Sequence, residues 1–266
     1  MLDMDEDQIL SVCSGIGGLD LGLSAGLRAV GRSPRTVCMV EREAFPVAVL
    51  ARQMQERRMD ECPLWLGDLR DLPLDELPAI DWITGGYPCQ PWSAAGKRLG
   101  EADPRHLWPV ILDIVRTLRP GGVFFENVGG HLSLGLDRVL QDLEGCGFGS
   151  AFGLFTAEEV GAPHRRERVF ILGVADPERP RSSDRISTTT ERKGSEESRD
   201  HRSRWPFRPG RKQHGWEPSR TTEPHMGRGS DGLPSRVDRL RALGNAVVPQ
   251  QAEKAFVTLW KEVNRC

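Results

Sequence analysis

The chain has 266 residues, 38% of them hydrophobic and 28% charged, with a formal net charge of −2. That length holds one large domain, or a large domain with a small companion, and the composition suits a soluble globular core. The charge excludes a uniformly basic protein but leaves nucleic acid open, because binding depends on a local patch and not on the total. Cys13, Cys38, Cys62, Cys89, Cys146 and Cys266 are scattered, with no CxxC pair and no Cys/His cluster at zinc spacing, so no metal site is expected. No apolar run reaches membrane-spanning length, and the acidic opening "MLDMDEDQ" does not read as a signal peptide, so a cytoplasmic protein is the simplest expectation.

Between Ile9 and about Gly173, short apolar runs alternate with amphipathic stretches. "ILSVC" predicts a buried strand, followed by a Gly-rich turn and a helix over about 19–30. "TVCMV" predicts a second strand ending at Glu41, and "AFPVAVLARQMQER" a helix. "LWLGDL" is short, apolar and closed by an acid; "IDWITGG" is a strand that runs into a cysteine loop. "HLWPVILDIVRTL" is helical, "GGVFFENV" a strand ending in Glu126 and Asn127, "LDRVLQDLEGCG" a helix and "RVFILGVA" a strand. Strands separated by helices predict a parallel sheet covered on both faces, with ligands beyond the carboxyl ends of its strands. Gly15 to Gly18, Glu41, Asp68, Cys89 and Glu126 all fall at such ends.

After Asp176 the texture changes to Arg, Ser, Pro and Gly with almost no aliphatics, which by composition is linker or a solvated loop. Trp205, Phe207 and Trp216 interrupt its basic residues, a mixture that also suits a nucleic-acid surface. Order returns at "LPSRVDRLRALGNAVVPQQAEKAFVTLWKEV", whose last part has helical periodicity and would pack back on the sheet.

The sharpest feature is "GGYPCQPWSAAGKR". Pro88 and Pro91 fix the backbone around Cys89, and small residues let a flat substrate approach; an ionised thiol there is a potent nucleophile. Read plainly, it is a loop thiol without a role. "SVCSGIGGLDLG" is strand, tight turn and helix start, suited to an anionic or nucleotide-like ligand. It falls short of GxGxxG because Asp20 replaces the last glycine, and it also reads as a structural turn. Glu41 suits ribose hydroxyls and Asp68 an adenine amine, or both are surface charges. Glu126 is a candidate general acid or a strand-end charge. Arg166 and Arg168 alternate into a strand, which would point both guanidiniums to one face, to grip a carbonyl oxygen or to pair with Glu167 or Glu158.

In order, "SGIGG", Glu41, "GD" at 67–68, "PCQ" at 88–90, "ENV" at 126–128, "RRER" at 165–168 and "LGNAVVP" at 243–249 closely resemble the DNA (cytosine-5)-methyltransferase family. The resemblance implies a Rossmann-like S-adenosylmethionine-dependent fold, a mostly parallel doubly wound α/β sheet with a small target-recognition insert. It implies a catalytic domain over 1–175, a short recognition region over 176–232 and a C-terminal segment over 233–266 returning to the first. Gly15, Ile16, Gly17 and Gly18 would hold the methionine part of S-adenosylmethionine and Glu41 its ribose. Asp68 would bind the adenine amine with Leu69 alongside, and Gln90, Leu107 and Asn245 would complete the pocket. Cys89 would be the nucleophile, Glu126 would meet the cytosine ring nitrogen and amine, and Arg168 would hold the ring carbonyl with Arg166 beside it.

The implied substrate is a cytosine flipped out of double-stranded DNA. The implied setting is a monomer in a prokaryotic or phage system, with a restriction endonuclease as its possible partner. No metal is implied, since the sulfonium already carries an activated methyl. The chain departs from the family pattern at Cys13, Arg42 and His164, where an aromatic, a tryptophan and a glutamine are usual. An RNA cytosine methyltransferase shares "PCQ" and "ENV", but the Cys-Phe-Thr signature of its tRNA members does not occur here. A catalytically dead relative would not need Cys89, Glu126 and Arg168 together. A nicotinamide-dependent oxidoreductase would leave "PCQ" and "ENV" unexplained.

Overall fold

The structure is a computed structural model, and it describes residues 6–88, 107–133, 135–176 and 236–265. Cys89, Gln90 and nearly all of the expected recognition region lie outside the described residues. In chain order the elements are β1 (Asp7–Val12), α1 (Gly18–Ala29), β2 (Pro34–Glu41), α2 (Ala44–Gln55), β3 (Leu64–Leu66), β4 (Trp82–Gly86), α3 (Trp108–Leu118), β5 (Gly122–Val128), α4 (Leu136–Gly145), β6 (Phe148–Phe155), β7 (Arg168–Ala175), α5 (Arg236–Asn245) and α6 (Pro249–Val263).

These strands form one sheet in the order β3-β2-β1-β4-β5-β7-β6. From β3 to β5 neighbours run parallel; β7 is antiparallel to β5, and β6 to β7. The expected mostly parallel, doubly wound sheet is therefore present. Alternation along each strand divides the core in two. Leu10, Val12, Ile83, Val123, Phe125, Val169 and Ile171 face α3 and α4, whose Trp108, Ile111, Val115, Val139 and Leu143 cover them. Ile9, Trp82, Phe124, Phe170 and Leu172 face the other way, toward Leu19, Leu23 and Leu27 of α1 and Phe256 and Leu259 of α6. Burying such a side chain fully contributes ~1.5–3 kcal/mol each, so both layers are needed to hold the sheet.

The second layer depends on glycine. Gly18, Gly22 and Gly26 recur every four residues along one face of α1, and α6 lies against that face. A Cβ at Gly22 would fall on the Ala252 methyl and 2.6 Å from the Pro249 carbonyl oxygen; one at Gly26 would fall 2.6 Å from Phe256 Cδ1. The C-terminal helix thus packs back on the first helix.

Two elements go beyond the sequence-based reading. β6, "FGSAFGLF", carries Gly149, Ser150 and Gly153 and sits at a sheet edge, where one-sided burial leaves no continuous apolar run. α5, "RVDRLRALGN", buries little, and the Arg241–Glu43 ion pair at 2.6 Å links it to the start of α2. Among the described residues no helix is long and apolar enough to cross a membrane.

Candidate active site

The parallel strands end on one edge of the sheet, and the side chains singled out from sequence collect there. β1 runs into Cys13 and Gly15, both with left-handed backbone (φ 52° and 55°), and Gly17 follows at φ 82°. The turn is pinned where Ser14 N donates to the Val40 carbonyl at 3.0 Å. Glu41, at the end of β2, accepts from Gly15 N at 2.9 Å through Oε2 and from Glu43 N at 2.8 Å through Oε1. Each carboxylate oxygen keeps a lone pair for a further donor. Among the described residues, a Cβ at Gly15 would meet nothing within 4 Å, so the backbone there is open on the side they leave. Gly17 and Gly18 differ: a Cβ would strike Met59 at the first and the Val247 carbonyl at the second. Their bareness serves packing, whereas Gly15 is uncrowded among the described residues. Ile16 lies between them, half-buried.

Asp68 follows β3 and caps the turn at 69–71, accepting from Arg70 N at 3.0 Å, with the Arg70 guanidinium 2.9 Å from Oδ2. That backbone bond, with the Arg70 and Arg42 charges, holds its carboxyl below the usual range. Asp68 is therefore an ionised acceptor already shared with Arg70. Leu69 is buried beneath it. Burial, with Glu41 next in weight, pushes the Cys13 thiol up to about 12, so this cysteine at the cradle is no thiolate nucleophile. Cys38 and Cys62 are also raised by burial, the latter to about 12.

Beside this cradle lies an acid site. Glu126, on β5, is 7% exposed and sits opposite Gly86 at the end of β4, two residues before Pro88. A Cβ at Gly86 would lie 3.1 Å from Glu126 Oε2, so glycine leaves room for the carboxyl. Arg168 opens β7 and places Nε 2.9 Å from Glu126 Oε1. Burial dominates: despite Arg168 and Arg166, the Glu126 carboxyl is pushed up from 4.5 to about 7. A buried carboxyl that exchanges its proton near neutrality is suited to general acid work.

Arg166 corrects the alternation argument. The strand begins only at Arg168, and Arg166 precedes it with φ 37°, so period-two geometry does not reach it. Its guanidinium donates to the carbonyls of Gly244 (2.7 Å) and Ala246, on either side of Asn245 at the end of α5. Arg166 still contributes positive charge toward Glu126 while tying down the "LGNAVVP" segment. Asn245 is exposed, and Leu107 is half-buried at the start of α3, beside Trp108.

Sequence reasoning missed several participants. Gln251, fully buried, donates to the carbonyls of Phe155 (2.8 Å) and Arg166 (2.9 Å), fastening α6 to the arginine loop. Tyr87 and His131 share a buried hydrogen bond of 2.9 Å. Polar residues inside an otherwise unremarkable helix or loop gave the only signal for these.

The sequence profile of the C-5 cytosine-specific DNA methylase family matches residues 8–213. The type II methyltransferase M.HgiCII of Herpetosiphon aurantiacus is 34% identical over 176 residues, covering 64% of this chain and 38% of that protein. The type II methyltransferase M.NgoBI of Neisseria gonorrhoeae is 32% identical over 173 residues, covering 63% of this chain and 50% of that protein. The chain thus spans half or less of the length of these relatives. In fold it is similar to Spodoptera frugiperda DNMT2 (TM-score 0.53, 22% identity, covering 71% of this chain and 56% of that one). It is also similar to the Entamoeba histolytica methyltransferase EhMeth (TM-score 0.52, 16% identity, covering 69% and 58%). This chain belongs to the C-5 cytosine-specific DNA methylase family.

Proposed function

We propose that this chain methylates carbon 5 of a cytosine flipped out of a specific double-stranded DNA sequence, using S-adenosylmethionine and a covalent adduct at Cys89. The observation that carries this reading is the juxtaposition at one sheet edge of an open carboxylate cradle, Gly15 with Glu41, and a buried Glu126–Arg168 pair. The cradle fits an adenosine-containing cation: Glu41 would accept from ribose hydroxyls and Asp68 from the adenine amine, with Leu69, Leu107 and Asn245 around them. When bound, S-adenosylmethionine supplies an activated methyl on a sulfonium.

Carbon 5 of cytosine is a poor nucleophile until carbon 6 is attacked. The Cys89 thiolate forms a bond to carbon 6, and the ring electrons move to nitrogen 3, where protonated Glu126 donates its proton. Arg168 holds the ring carbonyl. Carbon 5 would then be enamine-like and able to take the methyl as the sulfonium C–S bond breaks; a base would remove the carbon 5 proton, the thiolate would leave carbon 6, and nitrogen 3 would return its proton to Glu126, restoring the aromatic ring. Unpairing and unstacking the base costs a few kcal/mol, which contacts to the extruded ring repay. The division into 1–175, 176–232 and 233–266 follows from this reading, with the basic aromatic region as the second wall of a DNA cleft. So does a monomer paired with a restriction endonuclease.

The test is transfer of a labelled methyl group to duplex DNA and, in a parallel arm, to tRNA. Duplexes containing 5-fluorocytosine are added to trap the adduct. Methylated DNA with a trapped adduct, both abolished by Cys89→Ser while cofactor affinity holds, supports the reading. Transfer to tRNA alone redirects it, and turnover unaffected by Cys89→Ser removes the mechanism.

A further inference from the structure

We propose that Tyr87 and His131 form a positioning latch that fixes the exit of β4, two residues before Cys89, against the strand bearing Glu126; this rests on the methyl-transfer reading above. Tyr87 stands two residues before Cys89, just past the end of β4, and His131 lies in the 3₁₀ turn (Gly129–Ser133) that follows β5. The two sit 44 positions apart in the chain, and both are only 5% exposed. Their hydrogen bond, Tyr87 Oη to His131 Nε2 at 2.9 Å, joins the exits of the two strands that carry the reacting groups. Asn127, next to Glu126, reinforces it: Nδ2 donates to the Tyr87 carbonyl at 3.1 Å, and Oδ1 accepts from Val128 N at 2.9 Å.

Aromatic packing leaves the Tyr87 ring little freedom. Its centroid lies 5.4 Å from Trp108, 5.9 Å from Phe125 and 5.6 Å from His131. With the ring held by packing and the hydroxyl by His131, the backbone entering Pro88 has one orientation. The pair would act by fixing the chain direction at Tyr87 and Pro88, from which the backbone leads on to Cys89. Misplacing a reacting group by 1 Å can cost about 10²-fold, so one anchoring bond is expected to matter for the chemical step.

The measurement is the single-turnover rate of adduct formation on 5-fluorocytosine duplex at saturating cofactor, together with cofactor Kd and Tm. Tyr87→Phe and His131→Leu each remove the bond while keeping an apolar filler. Each should slow adduct formation by roughly tenfold, about one hydrogen bond's worth, with Kd for S-adenosylmethionine changed less than about twofold. The double variant should be no slower than the slower single one, as for a shared bond. His131→Gln keeps a polar nitrogen near the Nε2 position and should recover most of the rate. Rates within about twofold of the parent in both single variants overturn the latch. So does a slowing that Gln fails to rescue and that parallels an equal loss of Tm and cofactor affinity, since that is mere destabilisation. A parent chain that forms no adduct overturns the assignment of Cys89 itself, a result distinct from any variant's behaviour.

Discussion

Replacing Gly22 by alanine sets two effects of opposite sign against each other. In a helix interior, Gly→Ala is worth about 0.8–1.0 kcal/mol in favour of the folded state. Here the new methyl would lie on the Ala252 Cβ and 2.6 Å from the Pro249 carbonyl oxygen. Carbon atoms prefer ~3.5–4.0 Å, and neither a backbone carbonyl nor a Cβ can rotate away, so α1 and α6 must move apart. Overpacking of this kind costs about 1–3 kcal/mol, toward the upper end where the obstacle is rigid. The net expectation is a loss of roughly 1–2 kcal/mol, which lowers Tm by about 2–4 °C per kcal/mol for a chain of this size. Because α1 begins beside the Gly15 turn, S-adenosylmethionine affinity should fall as well on the methyl-transfer proposal. Gly145→Ala, at the end of α4 with nothing among the described residues within 4 Å of the added carbon, is the control and should be neutral or slightly stabilising. Thermal and urea unfolding of the three proteins decide the matter. A Gly22→Ala variant as stable as its parent would mean that α6 does not lie against α1 as described.

Burial raises the Glu126 carboxyl to about 7, so the neutral acid prevails below that value, and once the Cys89 thiol is ionised, adduct formation should decline as pH rises through about 7. Glu126→Gln should lose most of the rate together with that descending limb in a single-turnover pH profile. Asp20 is 1% exposed with no hydrogen bond of ordinary geometry to either carboxylate oxygen, and burial pushes it from 3.8 to about 6, offset only in part by the nearby Ser11 hydroxyl and its own amide. Between those two values the folded chain keeps a proton that the unfolded chain has lost, so stability falls as pH rises across the window and levels off above about 6. Asp20→Asn should flatten that slope and raise stability at pH 8 by on the order of 2 kcal/mol, readable in urea melts. Glu41→Ala removes an acceptor for two backbone amides and for the ribose; calorimetry should show cofactor Kd raised by roughly tenfold to a hundredfold, as for hydrogen bonds to a charged group.

Strands buried on both faces announce themselves, because β1, β2 and β5 are continuous apolar runs and their polar residues mark the edge where the site lies. β6 was illegible for the opposite reason: an edge strand rich in glycine needs little apolar sequence. α5 is a polar helix without a strong apolar stripe. Glu41, Asp68 and Glu126 could be read from their places at strand ends, whereas the departure of Arg166 from the strand depends on a left-handed backbone that no alternation pattern encodes. The Tyr87–His131 bond joins residues far apart in sequence, and the crossing from β4 through α3 to β5 that brings them together is a property of topology alone.

The glycine face of α1 has a consequence for how the molecule comes into being. α1 is made well before α6, the helix that covers it, is added. Until then Leu23 and Leu27 lack their cover from Phe256, and the turn beside Gly15 lacks the Val247 carbonyl that seats Gly18. The turn is therefore completed only once α6 has been made, and a polypeptide interrupted before α6 would leave one face of the sheet without its cover.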